Sequence, residues 1–308
     1  MSLYGLFQRP GPSGFGYNSS AEDVTAGMDL TGKTYLITGC NSGLGLETAR
    51  VLALRGARVI GAARSVDKAA DSFAELRGGA NAHVPLACEL SEPESVRKAV
   101  ATLVADGLVI DAIIANAGIM ALPKATVSHG LELQFLTNHI GHHLLVTGLL
   151  GQLAKDGRVV MLSSSAHRQA YSEGIRLDDL DAARNYSAWG SYGQSKLANL
   201  LFARELAKRL PAGQTANSVH PGVIATNLGR HMPAFMMALM KTAGGAIALK
   251  SIPQGAATQV YVATHPAAAT TTGAYWADCN VERASAKGED DALAAALWAK
   301  TEALVAGL

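Results

Sequence analysis

The chain has 308 residues, of which 49% are hydrophobic and 17% are charged. This length and composition are typical of a folded globular protein and exclude a disordered chain. The 26 basic and 25 acidic side chains leave a formal net charge of +1, which gives no electrostatic basis for binding nucleic acid.

The cysteines and apolar segments predict the compartment. Cys40, Cys88 and Cys279 lie far apart, without a CxxC pair or zinc-like spacing, so we expect buried thiols in a reducing compartment. An extension over residues 1–28 is rich in Gly, Ser and Pro and lacks the apolar core of a signal peptide. No stretch approaches ~18 uninterrupted apolar residues, so we expect no membrane anchor and a cytoplasmic protein.

The first strand and helix after the extension flank a glycine-rich turn. Residues 33–38 predict a buried strand and residues 46–55 predict a helix. Between them lies Gly39-Cys-Asn-Ser-Gly-Leu-Gly45, whose GxxxGxG spacing fits the generic dinucleotide fingerprint only loosely. Backbone N–H groups in this strand–turn–helix context bind phosphate, and a purely structural turn is the alternative.

The second strand, over residues 57–62, indicates which dinucleotide is bound. NAD-binding units carry an acidic residue about 20 positions after the glycines. Here that neighbourhood holds Ala63 and Arg64, with no acid. A small residue followed by arginine suits a ribose 2′-phosphate, so the sequence favours NADP(H) over NAD(H). The alternative is that Arg64 is an ordinary surface cation.

Strands and helices continue to alternate along the chain. We predict helices over residues 66–76, 93–105, 131–153, 188–210, 254–264 and 291–306, and strands over residues 83–88, 109–115, 158–163, 216–220 and 273–277. This alternation predicts an α/β fold, a doubly wound Rossmann-like parallel sheet with helices on both faces, in a single domain over residues 29–308. Ligands of such sheets bind outside the carboxyl ends of the strands, where the polar and glycine motifs of this chain fall.

A methionine-rich segment interrupts the alternation at about residues 227–253. Met232, Met236, Met237 and Met240 crowd the stretch that begins beside Pro233. Methionines of this kind either fill a core or form a flexible lid over an apolar substrate, and the sequence leaves both open.

Tyr192 and Lys196 lie four residues apart at the start of a predicted helix, so they share a face at roughly 5–6 Å between Cβ atoms. A phenol beside an ammonium group can act as an acid–base pair. Lowering the phenol pKa from ~10 to neutrality requires ~4 kcal/mol, which one cation at ~4 Å supplies at an effective dielectric of ~20. The alternative is an aromatic residue beside a solvated lysine. The nearby His139 and His143 lack a third ligand, so we predict no metal site.

Five motifs then occur in the order and at the spacings of one family. They are Thr38-Gly-Cys-Asn-Ser-Gly-Leu-Gly45, Asn116-Ala-Gly118, Ser164, Tyr192-x-x-x-Lys196 and Pro221-Gly222-x-x-x-Thr226. From about Leu30 onward, the chain therefore resembles a compact short-chain dehydrogenase/reductase. Asn138-His-Ile-Gly-His142 and Ser163-Ser-Ser-Ala-His167 add a narrower likeness to retinol dehydrogenases and their bacterial relatives. Light-dependent protochlorophyllide reductases share several of these motifs, so the resemblance does not specify the substrate.

The resemblance implies a catalytic set and a cofactor site. Tyr192 would exchange a proton with the substrate oxygen, and Lys196 would hold the cofactor ribose and lower the phenol pKa. Ser164 would bind the substrate oxygen, and Asn138 would complete a water-mediated relay to Lys196. The NADP(H) pyrophosphate would contact Gly39, Asn41, Ser42, Gly43 and Leu44, and the 2′-phosphate would contact Arg64. Glu89 (where the family usually has Asp) and Leu90 would lie near the adenine, and Asn116, Ala117 and Gly118 would lie at the adenosine ribose. Tyr192 and Lys196 would also contact the cofactor, and the nicotinamide end would contact Pro221, Gly222, Val223 and Thr226.

The implied activity is NADP(H)-dependent hydride transfer between the nicotinamide and a primary or secondary alcohol, or the matching carbonyl, of a small apolar substrate. A non-catalytic dinucleotide-binding scaffold or sensor and a C=C reductase on the same fold are the alternatives. The family also implies a homo-oligomer, a dimer or tetramer, formed through the long helices over residues 131–153 and 188–210.

Overall fold

The computed structural model describes residues 7–74, 76–77, 82–224 and 249–308. In these residues, eight strands form one sheet in the order β10-β9-β8-β7-β4-β1-β2-β3, and a separate hairpin pairs β5 with β6. The strands are β1 Thr34–Thr38, β2 Arg58–Ala63, β3 Val84–Ala87, β4 Ile110–Ala115, β5 Val127–Ser128, β6 Leu131–Glu132, β7 Leu153–Leu162, β8 Thr215–His220, β9 Tyr275–Ala277 and β10 Asn280–Glu282. The helices are α1 Gly43–Leu54, α2 Val66–Phe73, α3 Pro93–Ala105, α4 Leu133–Phe135, α5 Gly141–Gly148, α6 Ala188–Ala207, α7 Ile252–Thr264 and α8 Asp291–Val305.

The main sheet is parallel except for its edge strand β10, which pairs antiparallel with β9. From β1 the chain builds outward through β2 and β3, then returns to place β4 on the other side of β1. The strand order therefore reverses between β1 and β4. In sheets of this kind, the crevice outside the carboxyl ends at the reversal is where ligands bind.

The two faces of the sheet carry separate hydrophobic clusters. Leu36 of β1 packs in the cluster formed with α3, α5 and α6. Tyr35 and Ile37 pack in the opposite cluster with α1, α2 and α7. Successive strand side chains point to opposite faces, so both faces of a covered strand are buried, and all five residues of β1 are buried. The predicted α/β architecture with helices on both faces is confirmed.

The predicted and observed element boundaries differ most where the residues would be buried in a helix and in a strand alike. The helix predicted over residues 131–153 is instead α4, a π-helical segment Leu136–Ile140 and α5, and it ends at Gly148. The apolar run continues into β7, where Leu153 pairs with Ile110 of β4. Apolar periodicity cannot separate a buried helix end from a buried strand start. The hairpin β5–β6 and strand β10 are too short to give a periodic signal.

The N-terminal extension packs against the carboxyl-terminal part of the chain. Ala21 and Val24 are buried in the cluster that contains α7. The backbone N–H of Ala21 donates to the Pro253 carbonyl at 2.9 Å, and Asn280 Nδ2 donates to the Phe15 carbonyl at 3.0 Å. No helix in the described part of the chain is long and apolar enough to cross a membrane.

Helix α8 covers the outer face of α6 within the same chain. Leu297 lies in the cluster with Leu197 and Leu201, and the rings of Phe202 and Trp298 stack at a centroid distance of 5.5 Å. Self-association through the two long helices is therefore blocked on the face that α8 occupies. The oligomeric state itself stays a prediction.

Candidate active site

The glycine-rich turn brings β1, α1 and the end of β4 into close contact. Gly39 adopts φ +69°, a conformation that L side chains rarely take. A Cβ on Gly45 would lie 2.1 Å from the Gly39 carbonyl oxygen and 2.7 Å from Asn116 Nδ2. Helix α1 begins at Gly43 instead of residue 46, so the turn and the first helical residues overlap. Only glycine fits this close approach of the turn to β4.

The N-terminus of α1 fits a phosphate group. Ser42 precedes the helix in an extended conformation. Its side chain forms no capping hydrogen bond with the helix in the described part of the chain. The first N–H groups of a helix have no partner within the helix, and together with the helix dipole they favour an anion. The predicted residues Asn41, Ser42, Gly43 and Leu44 all lie at this end of the helix.

Arg64 lies directly after β2, the neighbour of β1 in the sheet. Its side chain is exposed, and it forms no ion pair with any residue that the structure describes. Glu89 follows β3, but its carboxylate already accepts hydrogen bonds from the Ser91 N–H at 3.3 Å and from Ser91 Oγ at 2.9 Å. Leu90 is buried against Gly141, where an added Cβ would lie 2.3 Å from the Leu90 carbonyl oxygen. Arg64 is therefore available to a ligand. Glu89 and Leu90 are instead held by contacts within the chain and form part of the wall of the candidate site.

The turn after β4 is held by the last residue of β1. Thr38 Oγ1 accepts hydrogen bonds from the N–H groups of Asn116 and Ala117, both at 2.9 Å. Asn116 Nδ2 donates to the Thr38 carbonyl at 2.8 Å. A Cβ built on Gly118 would lie 3.1 Å from Asn138 Oδ1 and 3.5 Å from Lys196 Nζ. The Asn116–Gly118 motif thus places Asn138 and Lys196 beside the carboxyl end of β4.

Asn138 lies in the π-helical segment and is fully buried. Its Oδ1 accepts from the Ile119 N–H at 2.8 Å, and its Nδ2 donates to the Ile119 carbonyl at 2.9 Å and to Ser195 Oγ at 2.9 Å. Both amide N–H bonds are therefore used within the chain. π-Helical turns recur at functional sites, because they displace side chains and carbonyls from their regular positions.

Tyr192, Lys196 and Ser164 come together at the start of α6. Ser187 caps this helix, its hydroxyl accepting from the Gly190 N–H at 3.2 Å. Tyr192 hydrogen-bonds to Ser164, and Lys196 Nζ lies 5.8 Å from the centre of the Tyr192 ring. Lys196 Nζ donates to the Leu162 carbonyl at 2.9 Å. The structure therefore brings three of the four predicted catalytic side chains together.

The acidities of this pair differ from the sequence expectation. Burial raises the pKa of Tyr192 to about 12, although the hydrogen bond from Ser164 opposes that rise. Burial also lowers the pKa of Lys196 to about 8. The expectation that Lys196 alone brings the phenol pKa toward neutrality is wrong for the cofactor-free chain, because desolvation disfavours both charged forms. At neutral pH the phenol is protonated and the ammonium keeps most of its charge.

The three consecutive serines have distinct partners, which the sequence alone could not show. Ser163 Oγ donates to the Lys196 carbonyl at 2.8 Å and is buried. Ser165 is exposed and directs its N–H to His220 Nδ1 at 3.2 Å. Ser164 is the serine that contacts Tyr192. The His167 side chain also contacts this turn, with its Nδ1 2.6 Å from the Ser164 carbonyl oxygen.

The residues directly after β8 pack against Lys250. Gly222 adopts φ +90°, and a Cβ there would lie 2.7 Å from Lys250 Cδ. Lys250 is buried, pairs with Asp278 and donates its N–H to the Val223 carbonyl at 2.9 Å. No sequence pattern indicated this pair, whose members are 28 positions apart. Pro221 and Val223 are described, whereas Thr226 and Met232–Met240 lie outside the described residues.

His139, His143 and the three cysteines are buried in the core. His139 and His143 pack against the ring of Phe202 at 6.1 and 5.2 Å. Among the residues that the structure describes, no group of three or more His, Cys, Asp or Glu side chains could hold a metal ion. Cys40, Cys88 and Cys279 are free and buried, and burial raises their pKa values to about 11, 12 and 12. Their predicted role as small buried side chains is confirmed.

Comparison with known proteins identifies relatives along nearly the whole chain. A family model described as short chain dehydrogenase matches residues 33–176. The chloroplastic short-chain dehydrogenase TIC 32 A of Brassica napus is 44% identical, over 97% of both chains. Human retinol dehydrogenase 14 is 36% identical, over 90% of this chain and 87% of its own.

Two solved structures extend the comparison. An uncharacterized protein from Mycobacterium paratuberculosis is 34% identical, with a TM-score of 0.74 over 92% of this chain and 97% of its own. A blue fluorescent protein from a metagenomic library, solved in complex with NADPH, is 25% identical, with a TM-score of 0.63 over 81% of this chain and 97% of its own.

Proposed function

The chain belongs to the short-chain dehydrogenase family of oxidoreductases, and on that premise we propose that it is an NADP(H)-dependent carbonyl reductase or alcohol dehydrogenase for apolar substrates. The observation that carries the proposal is the meeting of Tyr192, Ser164 and Lys196 at the carboxyl edge of the sheet, next to the glycine-rich turn. A scaffold that only binds a dinucleotide has no need of a buried tyrosine paired with a serine hydroxyl.

The residues at the strand ends fit a dinucleotide phosphate. The turn Gly39–Gly45 and the N-terminus of α1 would hold the pyrophosphate, and Asn116, Ala117 and Gly118 would line the adenosine ribose. Glu89 and Leu90 would border the adenine, and Pro221, Gly222, Val223 and Thr226 the nicotinamide. Arg64, exposed and without an ion pair among the described residues, would bind the 2′-phosphate, which supports NADP(H) over NAD(H). The NADPH complex of a structural relative supports the same choice.

The side chains divide the proton chemistry among them. The bound nicotinamide supplies or accepts the hydride. Tyr192, protonated at neutral pH because burial raises its pKa to about 12, donates the proton to the substrate oxygen during reduction. The Ser164 hydroxyl donates a hydrogen bond to the same oxygen and stabilises its developing charge. Lys196 holds the ribose hydroxyls, and its charge favours the phenolate that remains after proton transfer.

An apolar carbonyl or alcohol suits the surroundings of Tyr192. The indole of Trp189 meets the Tyr192 ring edge-on at a centroid distance of 6.1 Å, and the phenol is only 4% exposed. Relatives named retinol dehydrogenase at 35–38% identity point to the same chemical class, an apolar chain ending in an alcohol or aldehyde. The protonated phenol is the form that donates the proton when a carbonyl is reduced.

The test is NADPH oxidation measured against a panel of polyene aldehydes, aromatic ketones and aliphatic aldehydes. We expect Tyr192→Phe to lower kcat by roughly 10³-fold or more while the NADPH dissociation constant changes by less than about threefold. Tyr171→Phe is the matched control, since the Tyr171 hydroxyl also contacts α6, through Ser191 Oγ at 2.7 Å. Retained turnover in Tyr192→Phe, or a wild-type protein inactive on the whole panel, would overturn the proposal.

A further inference from the structure

One buried side chain beside the cleft has no role in the chemistry described above. His142 of α5 is fully buried between the end of β1 and the π-helical segment. Its Nε2 lies 2.8 Å from Thr38 Oγ1, and its Nδ1 lies 2.8 Å from the Asn138 carbonyl oxygen. We propose that His142 is a positioning residue that joins the Asn116–Gly118 turn to Asn138 and, through it, to the Tyr192 helix. This proposal rests on the proposed function.

The hydrogen-bond partners assign every proton in the link. A threonine hydroxyl can accept two hydrogen bonds and donate one. Thr38 Oγ1 already accepts from the N–H groups of Asn116 and Ala117, so its proton must point to His142 Nε2. His142 Nε2 is then the acceptor, and Nδ1 carries the ring proton that it donates to the Asn138 carbonyl.

The link continues without a break to the catalytic helix. Asn138 Nδ2 donates to Ser195 Oγ at 2.9 Å, and Ser195 Oγ donates to the Tyr192 carbonyl at 2.8 Å. From Thr38 through His142, Asn138 and Ser195 to Tyr192, every donor points in one direction. All five residues are at most 4% exposed, so water does not compete for these bonds. The hydrogen bonds enter Asn138 at its backbone carbonyl and leave from its side-chain amide, so the position of Asn138 carries the link.

The link requires neutral imidazole, and the surroundings of His142 keep it neutral. Burial, together with the nearby charge of Lys196, lowers the pKa of His142 to about 4, although the hydrogen bond to the Asn138 carbonyl opposes that fall. A protonated ring would direct a second N–H at Thr38 Oγ1, whose lone pairs are both occupied. His142 therefore acts as a fixed spacer with one donor and one acceptor, not as a group that exchanges protons during turnover.

The neighbouring His143 is a matched control on the same helix. It is equally buried, but it packs against the rings of Phe202 and Trp298, and its Nε2 lies 3.0 Å from Glu302 Oε1 of α8. Replacing either histidine with leucine removes a buried imidazole and creates a similar packing defect. Only the change at residue 142 removes the bonds to Thr38 and Asn138.

Two measurements on the full-length chain test the proposal. ¹⁵N NMR of histidine-labelled protein at pH 7, with the signal assigned by its loss in His142→Gln, should show a neutral ring protonated on Nδ1. In NADPH fluorescence titrations, His142→Leu should raise the dissociation constant about tenfold or more, as expected when bonds that hold a binding turn are lost. His142→Gln, which keeps one donor and one acceptor, should recover much of that loss, and His143→Leu should stay within about twofold of wild type.

The opposite results overturn the proposal. A ring protonated on Nε2 contradicts the hydrogen-bond assignment, and equal losses in His142→Leu and His143→Leu reduce the effect to packing. Neither measurement requires turnover. A wild-type protein that binds NADPH but reduces no carbonyl would therefore refute the proposed reaction and leave the role of His142 standing.

Discussion

Replacing Lys196 with methionine should make the cofactor-free protein more stable while removing its activity. Lys196 is 2% exposed, and burial lowers its pKa from 10.5 to about 8. At pH 7 the folded chain therefore holds a buried positive charge that the unfolded chain keeps in water. No carboxylate of the described residues forms an ion pair with it. The fold keeps this destabilising charge, as expected for a residue that is retained because it binds a ligand.

The magnitude follows from the two pKa values. Their difference of about 2.5 corresponds to about 3 kcal/mol of destabilisation at ~1.4 kcal/mol per pKa unit. Methionine fills a similar volume without the charge. The lost hydrogen bond to the Leu162 carbonyl offsets about 1 kcal/mol, although Asn199 Nδ2 still donates to that carbonyl at 3.1 Å. We expect a net gain of about 2 kcal/mol in the free energy of unfolding at pH 7.

The pH dependence gives the prediction its sign. The folded pKa lies below the unfolded one, so the destabilisation is fully present below pH about 8 and declines as the pH rises from there toward 10.5. Urea unfolding should therefore show a large advantage of Lys196→Met at pH 7 and a smaller one at pH 9.5. Saturating NADPH should stabilise wild type more than the variant.

The control is Lys98→Met, which changes an exposed lysine on α3 and should alter stability little at either pH. A Lys196→Met protein that is less stable than wild type at pH 7 would falsify the reasoning from burial. An advantage that stays constant between the two pH values would show that packing, and not charge, is responsible.

Three further predictions follow from the geometry. Arg64→Ala should lower the preference for NADPH over NADH in kcat/KM by about tenfold. Arg58→Ala, at the opposite end of β2, should leave that preference unchanged. Equal effects of the two substitutions would remove the argument that Arg64 binds the 2′-phosphate. Gly45→Ala should lose about 3 kcal/mol or more of stability in urea, because its Cβ would lie 2.1 Å from the Gly39 carbonyl oxygen, while Gly151→Ala has open space and should be nearly neutral. Ending the chain before Asp291 removes α8 and should cause self-association in light scattering, and a folded monomer would show that α8 does not protect the α6 face.

Strong local patterns were enough to predict the fold and the approximate place of the site. β1 and β4 are mostly apolar because both faces of the sheet are covered, and α3 was predicted with its observed bounds. The glycine-rich turn and the Tyr192–Lys196 spacing are short-range features, so their conformations follow from residues that are close in the chain. A resemblance to one family joined these features into a single predicted site.

The tertiary structure alone determined the contacts between distant residues and the pKa values that burial produces. The identity of the serine beside Tyr192, the Lys250–Asp278 pair and the link through His142 depend on elements that meet only in the folded chain. The pKa of Tyr192 rises and that of Lys196 falls because the surrounding helices and sheet exclude water. A sequence records which groups are present, and their burial and partners, on which their chemistry depends, are properties of the assembled fold.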